Sequence, residues 1–249
     1  MSYTAYDIKE FYKTKTGKYA KRQLLAMVQK TWRRRLTGNF FGVGFPIPFI
    51  KHLDGEKLRE FVVLPSELGA FWWQSKPDKG NCVGLCSQSE LPFDDEVADS
   101  ILSIHALEFS RDPDDAIAEI WRILKPQGRL LIVVSNRSGL WARRDTTPFG
   151  HGRPYSSTQL VKLLKDHNFV IEQARHTLYT PPFKSEFMLK AFSFLEYLGI
   201  GGMMPFFAGV HVIEASKQIH AIPKKMSARE QLLLRRKIRF NVSPEPQPG

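Results

Sequence analysis

Apolar residues along the chain follow two periods. From Ala5 to Leu36 they recur at helical spacing. Tyr19, Leu24, Leu25, Val28 and Trp32 fall near one stripe among lysines and arginines, which predicts an N-terminal helical segment. Gly38 and Asn39 follow as stop signals, behind cations that suit a helix C-terminus. Short apolar runs come next, and NFFGVGF, REFVVLP, GNCVGLC, ADSILSIHAL and GRLLIVVSN predict five strands. Between the fourth and fifth, Asp112, Asp114 and Asp115 open a predicted helix with the stripe Ile117, Ile120, Trp121 and Leu124. Ser156 and Gln159 form a capping box before the stripe Leu160, Leu163 and Leu164 of a further helix. VIEQARHTLYT and GVHVIEASKQIHA predict a sixth strand and a last one. Both alternate with polar residues, the pattern expected of edge strands.

Strands alternating with helices, the inner ones near-continuously apolar, predict an α/β fold with a mostly parallel sheet covered on both faces. The chain divides into a basic N-terminal helical segment (1–37), an α/β domain (38–221) and a basic, proline-rich tail (222–249). The apolar stretch 197–213 is too short for a spanning helix and is broken by Gly199, Gly201, Gly202 and Pro205, so it reads as a buried or interfacial connection.

Charge and cysteine content sharpen this reading. The net charge is +11, with ten Lys and Arg against two acids in residues 1–37 and eight against two in 216–249, so the middle carries −3. Basic ends are solvated faces or an electrostatic footprint for nucleic acid or an anionic surface. Cys82 and Cys86 lie in an apolar run without metal spacing and read as buried core thiols. With no apolar leader at the start, they predict a cytoplasmic protein. His52, His167, His176, His211 and His220 show no ligand spacing, and no metal is expected.

The chemistry enters with two motifs. GNFFGVGFPIPF carries Gly42 and Gly44 of a nucleotide-type turn, with Phe45 and Pro46 where a third glycine would complete it. No G-x-G-x-x-G of a dinucleotide-binding dehydrogenase is present. The segment LPFDDEVADSILSIHALEFSRDPDDAIAEIWRILKPQGRLLIVVSN places Leu91-Pro92-Phe93, Asp99, His105 and Glu119 through Gly128 in a specific order. It resembles the second half of class I S-adenosylmethionine (SAM)-dependent methyltransferases, of the branch with small-molecule and quinone methyltransferases. DIKEFYKTKTG, GLWARRDTTPFGHGRPYS and FAGVHVIEASKQIHA resemble a bacterial subgroup whose substrates are unassigned.

The resemblance implies a Rossmann-like domain of seven strands, the last antiparallel, with SAM as cofactor at the C-terminal ends of the central strands. It places Gly42 and Gly44 after the first strand, Ser66 and Glu67 after the second, and Ser87 with Gln88 after the third, as cofactor contacts. Phe40, Pro65 and Ser87 stand where that family has acids, so the implied site is weakened, uncharged contacts being about half as strong as charge-assisted ones. His105, at the end of the fourth strand, is implied near the methyl group as base or pocket wall, or it orders the turn. His151 and Tyr155 are further catalytic candidates, and Arg153 is placed to clamp an anionic small-molecule acceptor. Two alternatives stay open: a fold kept as a binding protein after its cofactor site decayed, and a methyltransferase-like protein acting on nucleic acid through the basic ends.

Overall fold

The computed structural model describes residues 3–32, 36–53, 55–74, 80–200 and 205–218. The chain divides into two units, 1–218 and 219–249, and the second lies outside the described residues, as does the predicted basic tail.

The N-terminal segment is two helices, not one. In α1 (Ala5–Lys13) Thr4 and Asp7 form a capping box. At Thr14 the chain turns into α2 (Lys15–Thr31). The Thr14 hydroxyl donates to Phe11 O at 2.7 Å and accepts from Gly17 N at 3.0 Å. Gly17 is required here, because a Cβ would lie 1.9 Å from Phe11 O. The helix ends at Thr31, and Leu36 already opens the first strand, which shortens the expected helical segment.

Seven strands form one sheet in the order β3-β2-β1-β4-β5-β7-β6. They are β1 (Leu36–Gly44), β2 (Gly55–Pro65), β3 (Val83–Cys86), β4 (Ala98–Ile104), β5 (Leu124–Ser135), β6 (Phe169–Thr177) and β7 (Val210–Lys217). β7 runs antiparallel to both β5 and β6, and the other pairings are parallel. The α/β class and the antiparallel last strand agree with the sequence reading. Alternate residues feed two cores. Phe40, Leu102, Leu131, Val133 and Val212 join the N-terminal helices on one face. Phe41, Ile101, Leu130, Ile132 and Ile213 join α4 (Pro113–Ile123) and α5 (Ser157–Asp166) on the other. Burial on both faces explains the unbroken apolar runs.

Three expectations fail. β7 is buried along its whole length between two strands, and only β6 of that pair is an edge. Its polar residues are paired, not solvated. Glu214 meets Arg129, Lys217 Nζ donates to Leu124 O at 2.7 Å, and His211 Nε2 donates to Tyr155 O at 3.2 Å. Cys82 and Cys86 are half-buried at edge strand β3 and are not core thiols; burial still pushes the Cys86 thiol up to about 11. Helices do not alternate evenly with strands either. The β1–β2 crossover holds only α3 (Ile47–Ile50), and β2–β3 and β3–β4 hold no α-helix among the described residues.

No described helix is long and apolar enough to cross a membrane. Two further short helices, α6 (Glu186–Ala191) and α7 (Phe194–Ile200), lie between β6 and β7.

Candidate functional site

β1 pairs with β2 on one side and β4 on the other, so the crossover from β3 to β4 reverses the direction in which the sheet grows. Ligands of open α/β sheets bind at the carboxyl ends of the strands at such a switch. A polar cavity of about 260 Å³ lies there, lined by Ser66, Glu67, Ser87, Gln88, Ser89, Ser110, Arg111 and Asp112. Ser66 and Glu67 follow β2, Ser87 and Gln88 follow β3, and the last three follow β4. Glu67 lies 3.3 Å from Arg111, and the Ser66 hydroxyl donates to Glu67 at 3.1 Å. The Ser87 and Ser89 hydroxyls are 2.7 Å apart, while buried Gln88 donates to Ala106 O at 3.1 Å. Four residues placed by the sequence reading therefore meet in one cavity.

Gly42 and Gly44 do not line it. Gly44 has φ +87°, and a Cβ there would lie 2.2 Å from Ile104 O; Phe45 N donates to that same oxygen at 2.7 Å. A Cβ on Gly42 would lie 2.4 Å from the Pro46 ring. Both glycines are needed so that the end of β1 can press on β4 and on its own turn. Phe45 and Phe49 next to them are fully buried. The residues present thus offer polar partners for a nucleoside, and no open cradle beside the glycines.

His105 follows β4 with φ +52° and is 1% exposed. Its Nε2 is 2.7 Å from the Tyr12 hydroxyl of α1, and Phe149 closes over the ring at 4.9 Å. Burial lowers its pKa to about 3, so the imidazole is neutral, and burial holds the Tyr12 phenol well above its usual range. Next to it Glu108 is buried, with one carboxylate oxygen accepting from Ser135 N at 2.8 Å and the other without a partner. Burial raises its pKa. Neither Tyr12 nor Glu108 was singled out from the sequence. A lone acid in the apolar turn HALEF was the available signal for Glu108, and Tyr12 sits on the buried stripe of α1 with Ile8 and Phe11.

The other candidates lie apart. His151 stacks on Tyr3 at 4.0 Å and donates from Nε2 to Asp145 O at 2.7 Å. Tyr3 and Asp145, with Asp7, Phe11, Thr147 and Lys184 among others, line a second cavity of about 630 Å³ between α1 and two loops. Burial, and then Asp7, push the Tyr3 phenol up to about 12. Arg153 and Tyr155 line neither cavity. They face a third, of about 350 Å³, beside α4 and α5 with Arg137 and Lys162. Among the described residues no group of His, Cys, Asp and Glu is placed to hold a metal ion.

The family described as methyltransferase domain matches residues 66–132, the span that runs from the polar cavity through β4, α4 and most of β5. A Mycolicibacterium smegmatis protein named as a probable S-adenosylmethionine-dependent methyltransferase is 31% identical over 34% of this chain and 33% of its own length. The chain thus matches about a third of that curated relative. Among solved structures, a SAM-dependent methyltransferase of Thermotoga maritima superposes with a TM-score of 0.56 at 18% identity, over 84% of this chain and 94% of its own. The [4+2]-cyclase SpnF does so with 0.52 at 18% identity, over 81% and 82%. Strand order and antiparallel β7 together carry the conclusion: the chain has the class I S-adenosylmethionine-dependent methyltransferase fold, and its residues 66–132 match the methyltransferase domain family.

Proposed function

We propose that the chain is a SAM-dependent methyltransferase for a small-molecule acceptor, with the cofactor's nucleoside in the polar cavity and the acceptor in the cavity under α1. The observation that carries this reading is the meeting of Ser66, Glu67, Ser87 and Gln88 at the switch point. The Glu67 carboxylate and the serine hydroxyls are acceptors for ribose hydroxyls and an adenine amino group. When bound, the cofactor supplies a methyl group activated by its sulfonium.

The chain itself supplies position and a proton acceptor. Gln88, lining one cavity, bonds Ala106 O beside His105, and the His105 partner Tyr12 adjoins Phe11, which lines the other. On this reading the buried Tyr12–His105 pair, which lines neither cavity, is what separates them. Transfer requires the pair to part, which frees His105 Nε2 to take a proton from an oxygen or nitrogen acceptor.

A second reading, a fold kept as a binding partner after its cofactor site decayed, is favoured by the closed turn at Gly44 and Pro46 and by the four-residue α3. SpnF, named as a cyclase, is a reminder that this fold does not fix the activity. Of the two basic ends on which a nucleic-acid role rests, the tail lies outside the described residues.

Calorimetric titration with SAM and S-adenosylhomocysteine separates the readings. Ser87→Trp fills the polar cavity from an exposed position, whereas a block placed at Gly44 would break the fold. Saturable heat abolished by Ser87→Trp is the expected outcome. Absence of heat in the native protein sinks the first reading and leaves the second.

A further inference from the structure

Five large aromatic side chains between Phe187 and Phe207 are 51–81% exposed: Phe187, Phe194, Tyr197, Phe206 and Phe207. They are half of all the large exposed hydrophobics among the described residues. Clustering of this kind marks an interaction surface, where scattered single residues would not. Two points, α7 within this stretch and Gly209 just past it, meet at Thr177 of β6. Glu196 in α7 accepts from the Thr177 hydroxyl at 3.4 Å, and Gly209 N donates to Thr177 O at 3.0 Å.

The charges around this surface are mostly cationic. Glu196, the single acid from Phe187 to Phe207, is turned inward and 4% exposed. It accepts from Thr180 N at 3.0 Å and from the Tyr19 hydroxyl of α2 at 3.3 Å. The outer face of α7 thus shows aromatics without an acid. Alongside it, a groove of about 450 Å³ between α2 and α6 is lined by Lys15, Lys18, Arg22 and Lys190 against the one acid Glu186. Lys190 itself lies in α6 with Phe187.

We propose that this face is a peripheral membrane-docking surface that takes an anionic phospholipid bilayer. Phe187, Phe194, Tyr197, Phe206 and Phe207 enter the headgroup boundary while the cations of α2 and α6 meet lipid phosphates. Aromatic rings favour that depth and a cationic rim adds attraction to anionic lipid, while Glu186 beside Phe187 is paired with Lys190 at 2.9 Å and Lys15 at 3.8 Å.

The test is flotation of the full chain with vesicles of phosphatidylglycerol and phosphatidylcholine in equal parts, and with phosphatidylcholine alone. The native chain floats with the mixed vesicles and much less with the neutral ones, and salt weakens it. Phe187→Ser combined with Tyr197→Ser lowers the partition coefficient about tenfold or more, and Lys18→Glu with Arg22→Glu lowers it by a similar factor. All four side chains lie at the surface, so circular dichroism melting is expected to be unchanged. An aromatic variant that floats like the native chain overturns the proposal, since the basic ends would then suffice. So does a native chain that ignores the vesicles and instead forms a concentration-dependent dimer in sedimentation velocity.

Discussion

Changing Tyr12 to Phe removes one oxygen from the buried Tyr12–His105 pair and leaves the shape of the ring intact. The lost bond spans 2.7 Å, and its partners are nearly sealed from water, Tyr12 at 7% and His105 at 1% exposure. No water can replace the hydroxyl without repacking Phe49 and Phe149, whose rings lie 5.6 Å from Tyr12 and 4.9 Å from His105. Leaving a buried polar group unpaired costs about 1–3 kcal/mol. With a urea dependence of about 3 kcal/mol per M for a chain of this size, the unfolding midpoint falls by about 0.3–1 M. Adding His105→Leu removes the orphaned nitrogen and recovers part of the loss, so the double-mutant cycle shows a coupling of about 1 kcal/mol or more. Urea melts followed by far-ultraviolet circular dichroism give all four corners. An unchanged midpoint in Tyr12→Phe, or strictly additive losses, would refute the reasoning.

Other outcomes follow from the same geometry. Gly44→Ala combines a positive φ with a Cβ 2.2 Å from Ile104 O and is expected to cost about 2–4 kcal/mol or prevent folding, read from soluble yield and thermal melting. Burial lowers His105 to about 3 and His211 to about 4, from an ordinary 6.5, so the unfolded chain takes up protons first as pH falls. Stability is then lost from about pH 6.5 downward, by at most about 1.4 kcal/mol per pH unit for each histidine. Glu108 and Glu214, raised by burial, act in the opposite sense, because the folded chain holds their protons the more tightly. Urea melts at neutral and mildly acid pH on His211→Asn isolate the histidine part, which should flatten the acid slope; an identical slope would refute it.

The inner strands were legible because burial on both faces writes apolar runs that need no partner information. What misled was β7, whose His211, Glu214 and Lys217 look like a solvated face but are buried with partners supplied by β5, β6 and neighbouring turns. Period alone cannot tell a paired buried charge from an exposed one. The turn at Thr14 was hidden for a related reason, since a threonine that caps two helices at once leaves the apolar stripe uninterrupted. At the candidate site the resemblance placed Ser66, Glu67, Ser87 and Gln88 after neighbouring strands, and the sheet brings those strand ends to one cavity. It did not foresee that Gly44 backs onto β4 or that α1 sends Tyr12 to His105. Both depend on contacts between segments 60 or more residues apart in the chain.

The most direct measurement is a crystal structure of the chain grown with S-adenosylhomocysteine. The account predicts density for the nucleoside among Ser66, Glu67, Ser87 and Gln88, with Arg111 drawn off Glu67. Unoccupied density at that cavity under saturating ligand, or a nucleoside bound anywhere else, would contradict it.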